Sequence, residues 1–459
     1  MFISLVSLHT HTHTHTHPPP RYVSYLVDYA KHFDVLSHYE FETRVVSVKR
    51  RSASDYVVTT SDGQVREFSA VVVATGVNRN AKLPRFQGQD KFQGEILHSS
   101  SYRNPEMFRG KRVVMIGAGE SGSDIVKEIS DVTSQSYLSL RRGVSVATKY
   151  PMRSQYTSDA FSSRSHYFSH PSLISWLFSD LNRKISKMDE IDPVFAMIGK
   201  LNLESGGGLY QSITKNENFV ESLVTGKCIK TAEISKLTDS AVIFKDGTVA
   251  QNIDKIVCNT GFSRSYSFLQ DGFENVSFKS SRSLFLHMFH VDLDASFSFV
   301  GWIRPAEGGV PALSEMQARY LARVLSGETS LPSDMRVRAR SEAQEESKRF
   351  HIVPHLDTLC HYPVFMERVA ELVGCKPNLL WIFLTDPMLW YKLWFGSHQS
   401  AVYRLNGPGA RPKLARDFIT RLPVAWFSNA LASRVSRKLF LMNVVSFLCT
   451  PFGFFETSW

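Results

Sequence analysis

The stretch KRVVMIGAGESG at Lys111–Gly122 decides the fold. Its first half is a short apolar run, which predicts a buried parallel strand over Lys111–Ile116. Its second half has glycines at the spacing GxGxxG and leads into an apolar periodicity that predicts a helix over Ser121–Ser130. A strand that turns through glycines into a helix is a structure that binds the diphosphate of a dinucleotide.

Each glycine of this stretch has its own task. Gly117 makes the tight turn, Gly119 lets the backbone meet the pyrophosphate, and Gly122 lets the helix pack closely on the strand. The free N–H groups and the dipole at the start of the helix favour the phosphates. The predicted cofactor-binding residues of this stretch are Gly117, Gly119, Glu120, Ser121, Gly122, Ser123 and Asp124.

The residues after the next predicted strand, Tyr137–Arg141, indicate which dinucleotide binds. A site for NAD usually has an acidic residue about 20 residues after the glycines, which holds the ribose 2′-hydroxyl. Here no acid lies between Asp131 and Arg142, and the strand ends in Arg141 and Arg142. Two guanidinium groups suit a 2′-phosphate, so we predict NADP. The alternative is a solvated surface pair of arginines.

Two further predicted strands, Ala70–Ala74 and Ile253–Asn259, flank this site in the sequence. Both lead into Thr-Gly, at Thr75–Gly76 and Thr260–Gly261, where glycine permits a tight turn or a close approach to a ligand. We predict that these are the crossings between two nested domains and that they line the cofactors. The alternation of strands and helices predicts an α/β fold with parallel sheets.

Composition excludes several classes of protein. The 459 residues carry 53 basic and 43 acidic side chains, a net charge of +10, and 43% of the residues are hydrophobic. This is globular composition. The 5 cysteines lack CxxC spacing, so we expect neither a disulfide framework nor a metal site. The positive charge is not concentrated in one run and no nucleic-acid motif occurs, so we expect no nucleic-acid partner. The His-Thr repeat in residues 1–20 predicts a low-complexity, misassigned start.

The segment FQGEILHSSSY at Phe92–Tyr102 carries a resemblance to a known family. Its pattern FxGxxxHxxxY, set by Phe92, Gly94, His98 and Tyr102 just before the GxGxxG, resembles the signature of the flavin-containing monooxygenases. Related Baeyer–Villiger enzymes usually carry Trp at the last position, so Tyr102 favours the branch that oxygenates nitrogen and sulfur. The likeness continues through PALSEMQAR at Pro311–Arg319 and YRLNGPG at Tyr403–Gly409.

The resemblance implies an NADPH- and FAD-dependent monooxygenase. In such an enzyme NADPH reduces FAD, and the reduced flavin captures O2 as a C4a-hydroperoxide. One oxygen atom then passes to a tertiary amine or a sulfide. The resemblance also implies that the FxGxxxHxxxY segment couples domains and takes no part in the chemistry.

The sequence departs from this family in two places. Members begin with a strand and a GxGxxG of their own for FAD, followed by an active-site Asn, whereas no such motif lies between Met1 and Gly88. The catalytic residues are therefore unknown, and we expect an FAD domain without its first βαβ. Glu120 also stands where many members carry Asn. The alternative functions are a non-catalytic NADP-binding remnant that cannot hold FAD and, disfavoured by Tyr102, a Baeyer–Villiger enzyme.

The predicted architecture is two nested Rossmann-like, three-layer dinucleotide-binding domains and a helical C-terminal part. Residues 21–103 and 255–330 form the FAD domain, 104–254 the NADPH domain with an irregular insertion at 154–208, and 331–459 the helical part. The uncharged stretch Leu439–Phe455 follows Arg434, Arg437 and Lys438. By resemblance, this tail predicts attachment to the cytosolic face of the endoplasmic reticulum membrane, and Asn378–Phe395 adds an interfacial surface.

Overall fold

The computed structural model describes residues 19–151, 156–167, 179–206, 213–278, 280–306, 308–351, 353 and 356–424. These residues fall into two compact units. The first comprises the described residues within Met1–Phe68, Ala74–Ala147 and Phe178–Asn275, and the second those within Ser69–Val73, Thr148–Leu177 and Val276–Trp459. The predicted division into an FAD domain and an NADPH domain stays a prediction.

The described strands, in chain order, are β1 (Val45–Ser52), β2 (Asp55–Thr60), β3 (Val65–Phe68), β4 (Val71–Val73), β5 (Asn80–Ala81), β6 (Glu95–His98), β7 (Arg112–Ile116), β8 (Gln135–Ser139), β9 (Cys228–Thr231), β10 (Ile234–Leu237), β11 (Val242–Phe244), β12 (Val249–Ala250), β13 (Lys255–Cys258), β14 (Phe262–Ser263), β15 (Phe297–Phe299), β16 (Arg304–Pro305) and β17 (Leu359–Cys360). The described helices are α1 (Pro19–His32), α2 (Glu120–Val132), α3 (Arg164–Tyr167), α4 (Pro193–Glu204), α5 (Asn218–Val224), α6 (Val310–Leu325), α7 (Met335–Arg349), α8 (Tyr362–Val373), α9 (Leu379–Thr385), α10 (Pro387–Phe395) and α11 (Pro412–Arg421).

The centre of the first unit is a five-stranded parallel sheet in the order β6-β13-β7-β8-β9. Successive side chains of a strand point to opposite faces, and both faces are apolar here. Val113 and Met115 of β7 pack on one face against Ile125 and Ile129 of α2. Val114, between them, packs on the other face in a different core cluster.

The second face of this sheet is covered by the antiparallel meander β10-β11-β12. Val242 and Phe244 of β11 share a core cluster with Ile256 of β13. The parallel sheet therefore lies between a helical layer and a layer of strands. This confirms the predicted three-layer α/β fold.

The second unit contains the parallel pair β4 and β15 and a large core around α6 and α8. Arg319 of α6 joins two segments that carry the family resemblance, because its guanidinium donates to the carbonyl oxygens of Tyr403 at 3.1 Å and Pro408 at 2.9 Å. Gln317, fully buried in the same helix, accepts from the backbone of Gly301 at 2.9 Å. The bond from Gly301 to Gln317 holds the middle of α6 next to the residues that follow β15.

Two sequence predictions are wrong. The strand predicted over Tyr137–Arg141 is β8, and it ends at Ser139, whose hydroxyl donates to the carbonyl oxygen of Ala232 at 2.9 Å. The region 154–208 is not irregular throughout, because α4 forms at its end. Asp192 caps this helix by accepting from the backbone of Phe195 at 3.2 Å, and Pro193 occupies its first turn.

The predicted membrane tail, Leu439–Phe455, lies outside the described residues. Within the described ranges, no helix has the length and hydropathy needed to cross a bilayer. The low-complexity residues His9–His17 are likewise outside the description.

Candidate functional site

The turn between β7 and α2, Gly117–Gly122, has the geometry that a diphosphate requires, and we call it the glycine turn. Gly117 has a φ of +85°, a conformation that favours glycine. A Cβ on Gly122 would lie 2.7 Å from the carbonyl oxygen of Gly117, so only glycine lets α2 approach this closely. A Cβ on Gly119, in contrast, would meet nothing within 4 Å. The backbone at Gly119 is therefore open to an approaching ligand.

The start of α2 combines free backbone donors with two carboxylates. The first N–H groups of a helix have no partner within the helix and carry partial positive charge. Glu120 is exposed at the first position of α2, and its Oε2 accepts from the backbone of Lys215 at 3.4 Å. Asp124 accepts from the side-chain amide of Asn216. The carboxylate of Glu120 thus lies at the end of the helix where the phosphates are predicted to bind.

The two serines of this turn differ in their environment. Ser123 is fully buried, and its hydroxyl donates to the carbonyl oxygen of Glu120 at 2.8 Å. Ser121 is exposed on the outer side of the first turn. Ser123 thus stabilises the turn, while Ser121 can reach a ligand.

Arg141 and Arg142 lie in the loop after β8, and both are exposed. The next residue, Gly143, is buried, and a Cβ there would lie 2.1 Å from the carbonyl oxygen of Leu201 in α4. Glycine therefore lets this segment, Arg141–Val146, which we call the arginine loop, lie directly on α4. The sequence placed Arg141 at the end of the strand and Arg142 directly after it, whereas in the structure both lie in a loop that packs on α4.

Sequence reasoning missed the segment that joins the glycine turn to the arginine loop. The hydroxyl of Thr214 donates to the carbonyl oxygen of Ala118 at 2.9 Å. The backbone N–H of Thr214 donates to Ser145 at 2.8 Å, and that of Ala147 donates to Thr214 at 2.9 Å. Since Thr214 lies 96 residues from Ala118, nothing local in the sequence signals this contact.

The two Thr-Gly crossings are neighbours. After Thr75–Gly76, strand β5 pairs antiparallel with β14, which follows Thr260–Gly261. The hydroxyl of Thr260 donates to the carbonyl oxygen of Lys82. Gly76 and Gly261 both have positive φ, at +70° and +73°. The strands that follow the two crossings therefore form one short antiparallel ribbon, β5 with β14.

His98 of the signature fixes the second crossing. The backbone N–H of Ser100 donates to Nδ1 of His98 at 3.1 Å, so Nε2 carries the proton. That Nε2 donates to the carbonyl oxygen of Gly261 at 2.8 Å. Burial lowers the pKa of His98, which keeps the ring in the neutral form that this geometry needs.

The other signature residues have packing roles. Tyr102 is 2% exposed, and its hydroxyl donates to Oε2 of Glu128 in α2. Burial, together with this bond, raises the pKa of Tyr102 far above its usual value, so the phenol stays protonated. A Cβ on Gly94 would lie 2.5 Å from the ring of Phe92 and 2.8 Å from the carbonyl oxygen of Asp254. The whole signature thus joins β6 to α2 and β13.

Neither a metal-ligand cluster nor an ionised thiol at Cys258 is found among the described residues of this unit. Among them, no group of His, Cys, Asp and Glu side chains has the arrangement of a metal site. Cys258, at the end of β13, has a pKa raised to about 12 by burial, so its thiol stays protonated. The glycine turn and the exposed arginines are the features of this unit that suit a nucleotide.

Comparison with known proteins identifies the family. The model of flavin-binding monooxygenase-like proteins matches residues 11–449. The chain is a member of this flavin-binding monooxygenase-like family. It is 34% identical over 419 residues to a 4-hydroxybenzoate brominase (decarboxylating) of Pseudoalteromonas luteoviolacea, covering 88% of this chain and 78% of that protein. It is also 34% identical over 446 residues to flavin-containing monooxygenase 5 of Cavia porcellus, covering 93% of this chain and 82% of that protein.

A solved structure supports the fold. Cyclohexanone monooxygenase from Rhodococcus sp. Phi1, determined with NADP+ bound, superposes with a TM-score of 0.58 at 14% identity. The match covers 78% of this chain and 83% of that one. Flavin-binding monooxygenase-like proteins are flavin-dependent monooxygenases that use FAD and NADPH.

The residues of this family member fit NADPH. The open backbone at Gly119, the positive φ of Gly117 and the start of α2 form the cradle that a pyrophosphate needs. For FAD, the sequence offers the Thr-Gly crossings, but its one GxGxxG is the motif at Gly117–Gly122. Apart from these crossings, the residues of this sequence offer no second GxGxxG turn for the diphosphate of FAD.

We predict that Gly119→Val abolishes NADPH binding and leaves the fold intact. A Cβ at this position would meet no described atom within 4 Å apart from its neighbours in the chain, so the fold should tolerate the substitution, but the new side chain fills the pyrophosphate's approach. Fluorescence titration measures the affinity, and circular dichroism checks the fold. An unchanged dissociation constant would exclude this turn as the site.

Glu120→Gln should tighten NADPH binding at low salt. Removing one charge near the phosphates relieves a repulsion of about 1 kcal/mol, or roughly fivefold in affinity. The gain should shrink in 0.5 M salt, an ionic strength at which screening acts over about 4–5 Å. The matched control is Asp131→Asn near the other end of α2, about 16 Å away, with no expected effect. Equal gains from both variants would refute a local effect of Glu120.

Tyr102→Phe should destabilise the protein without affecting the cofactor. The change removes a hydrogen bond to the carboxylate of Glu128, and such bonds contribute about 1.5–3 kcal/mol. Denaturant unfolding should therefore show a lower free energy of unfolding, while the dissociation constant of NADPH stays the same. A selective loss of NADPH affinity at unchanged stability would instead give Tyr102 a direct role in binding.

Proposed function

We propose that the described residues form the NADPH-binding part of a monooxygenase that transfers one oxygen atom to a soft nitrogen or sulfur of a small molecule. The observation that carries the proposal is the open glycine turn at the start of α2, in a chain of the flavin-binding monooxygenase-like family. Tyr102, where related Baeyer–Villiger enzymes carry Trp, supports an amine or a sulfide as the acceptor.

In this proposal different segments of the chain bind different parts of NADPH. The backbone at Gly117–Gly122 binds the pyrophosphate through N–H groups that need no side chain. The arginine loop, residues Arg141–Val146, holds the 2′-phosphate through charge-assisted hydrogen bonds. On the other side of β7, the bond from His98 to Gly261 holds the Thr260–Gly261 crossing in place at the end of β13. NADPH is thereby held at its pyrophosphate and at its 2′-phosphate, and these two contacts set the position of its nicotinamide.

Replacing both Arg141 and Arg142 with Ala should weaken NADPH binding at least tenfold, because each lost charge-assisted bond costs about 1.5–3 kcal/mol. NADH lacks the 2′-phosphate, so its affinity should stay within about twofold of the original value. Isothermal titration with both nucleotides measures the two losses. Equal losses for NADPH and NADH would contradict the assignment of the arginine loop.

The residues present predict weak retention of FAD. Without a second glycine turn, the flavin's diphosphate has no backbone cradle among these residues. The polypeptide of this sequence should purify colourless and should not oxidise NADPH in air. Adding a strand, a GxGxxG and a helix before Tyr22 should give a yellow protein. Stoichiometric flavin absorbance without the addition would show that the Thr-Gly crossings hold FAD by themselves.

A second candidate function is halogenation of a phenol. It is supported by the relatives named 4-hydroxybenzoate brominase, of which two bacterial examples are 34% identical to this chain. The two candidate functions are distinguished with the protein that carries the added strand, GxGxxG and helix, supplied with NADPH and ¹⁸O2. Oxygenation places one ¹⁸O in a tertiary amine or sulfide without bromide, whereas bromination consumes 4-hydroxybenzoate only with bromide. Mass spectrometry of the products decides between them, and no product from either substrate would refute both.

We also propose attachment to the cytosolic face of the endoplasmic reticulum membrane. The support is the uncharged stretch Leu439–Phe455 and the basic residues just before it. Cell fractionation with and without residues 434–459 tests this. A chain that stays in the soluble fraction with the tail present would contradict the proposal.

A further inference from the structure

The arginine loop owes its shape to one buried side chain that the proposed function does not use. Asn202, in α4, is 7% exposed. Its Oδ1 accepts from the backbone N–H of Val146 at 2.6 Å, and its Nδ2 donates to the carbonyl oxygen of Val146 at 3.1 Å. One amide therefore satisfies both backbone groups of Val146, as a neighbouring strand would.

The opposite side of the same short segment is also bonded. The residues on either side of Val146 exchange backbone hydrogen bonds with Thr214, which makes a parallel bridge. The hydroxyl of Thr214 in turn donates to Ala118 in the glycine turn. An unbroken series of buried bonds thus runs from Asn202 through the arginine loop to the glycine turn.

The orientation of Asn202 is itself fixed. Its Nδ2 also donates to Oδ1 of Asn182 at 3.1 Å, and Asn182 is 5% exposed. Because Nδ2 has two acceptors and Oδ1 one donor, a flipped amide would lose all three bonds. Beside it, Gly143 lies against the carbonyl oxygen of Leu201. The loop is therefore held on α4 at two points, Gly143 and Val146.

We propose that Asn202 is a positioning residue for nucleotide selectivity. It holds the arginine loop at a set distance from the glycine turn, so that the guanidinium groups meet the 2′-phosphate of a dinucleotide whose pyrophosphate lies on that turn. This inference rests on the proposed function, since it assumes that the arginine loop binds the 2′-phosphate. Asn202 does not touch the nucleotide and acts through Val146.

The first test compares both nucleotides in Asn202→Leu, which removes the amide and keeps a similar volume. NADPH affinity should fall about tenfold, the worth of one charge-assisted bond, while NADH affinity stays within about twofold. Tyr102→Phe is the matched control, because it also removes a buried hydrogen bond of the first unit but should leave both affinities unchanged. Equal losses of NADPH and NADH in Asn202→Leu would make its role merely structural and overturn the inference.

A second variant serves if Asn202→Leu fails to fold. Asn182→Ala leaves both bonds to Val146 possible but removes the acceptor that orients the amide. It should shift the ratio of NADPH to NADH affinity in the same direction by about threefold. An unchanged ratio in this folded variant counts against the inference.

The double-mutant cycle separates this inference from the proposed function. If Asn202 acts through the arginines, adding Asn202→Leu or Asn182→Ala to the Arg141→Ala, Arg142→Ala protein causes no further loss of NADPH affinity. A full additional loss overturns the positioning role. If the arginine variant itself fails to change the NADPH to NADH ratio, the proposed function fails and not only this inference.

Discussion

The close packing of α2 on the parallel sheet is the constraint on which the site depends. Gly122 has no room for a Cβ because the carbonyl oxygen of Gly117 lies 2.7 Å away from where it would stand. On its other side is Asn259, whose amide donates to the same oxygen at 3.0 Å. This contact fixes the start of the helix directly over the end of β7, where its free N–H groups and dipole can act on a phosphate.

Other contacts of the first unit hold the neighbouring segments in place around the start of α2. The signature residues join β6 to α2 and to the second Thr-Gly crossing, and none of them presents a reactive group. The segment at Thr214 joins the glycine turn to the arginine loop, and α4 supports that loop through Asn202. In the proposed site, backbone meets the pyrophosphate and arginine side chains meet the 2′-phosphate, while buried side chains determine where both segments lie.

The sequence predicted what depends on local constraint. Glycine spacing after an apolar run determined the strand, the turn and the helix, because few other arrangements accommodate that pattern. The end of β8 was predicted too far along the chain. At the observed end, Ser139 bonds to Ala232, and these residues are 93 apart in the sequence. Asn202 and Val146 are 56 residues apart, and His98 and Gly261 are 163 apart. A single sequence has no signal for such pairs. Asp192 followed by Pro193 is a local signal for the start of α4, but the prediction of an irregular segment at 154–208 overlooked it.

Amide hydrogen exchange tests the central claim most directly, namely that two separate segments of the chain bind the pyrophosphate and the 2′-phosphate of NADPH. NADP+ should slow exchange both in the glycine turn, residues 117–122, and in the arginine loop, residues 141–146. NAD+ at saturating concentration should slow exchange in the glycine turn only, because it has the pyrophosphate and lacks the 2′-phosphate. Equal protection of both segments by the two nucleotides, or protection of neither segment, would contradict the account.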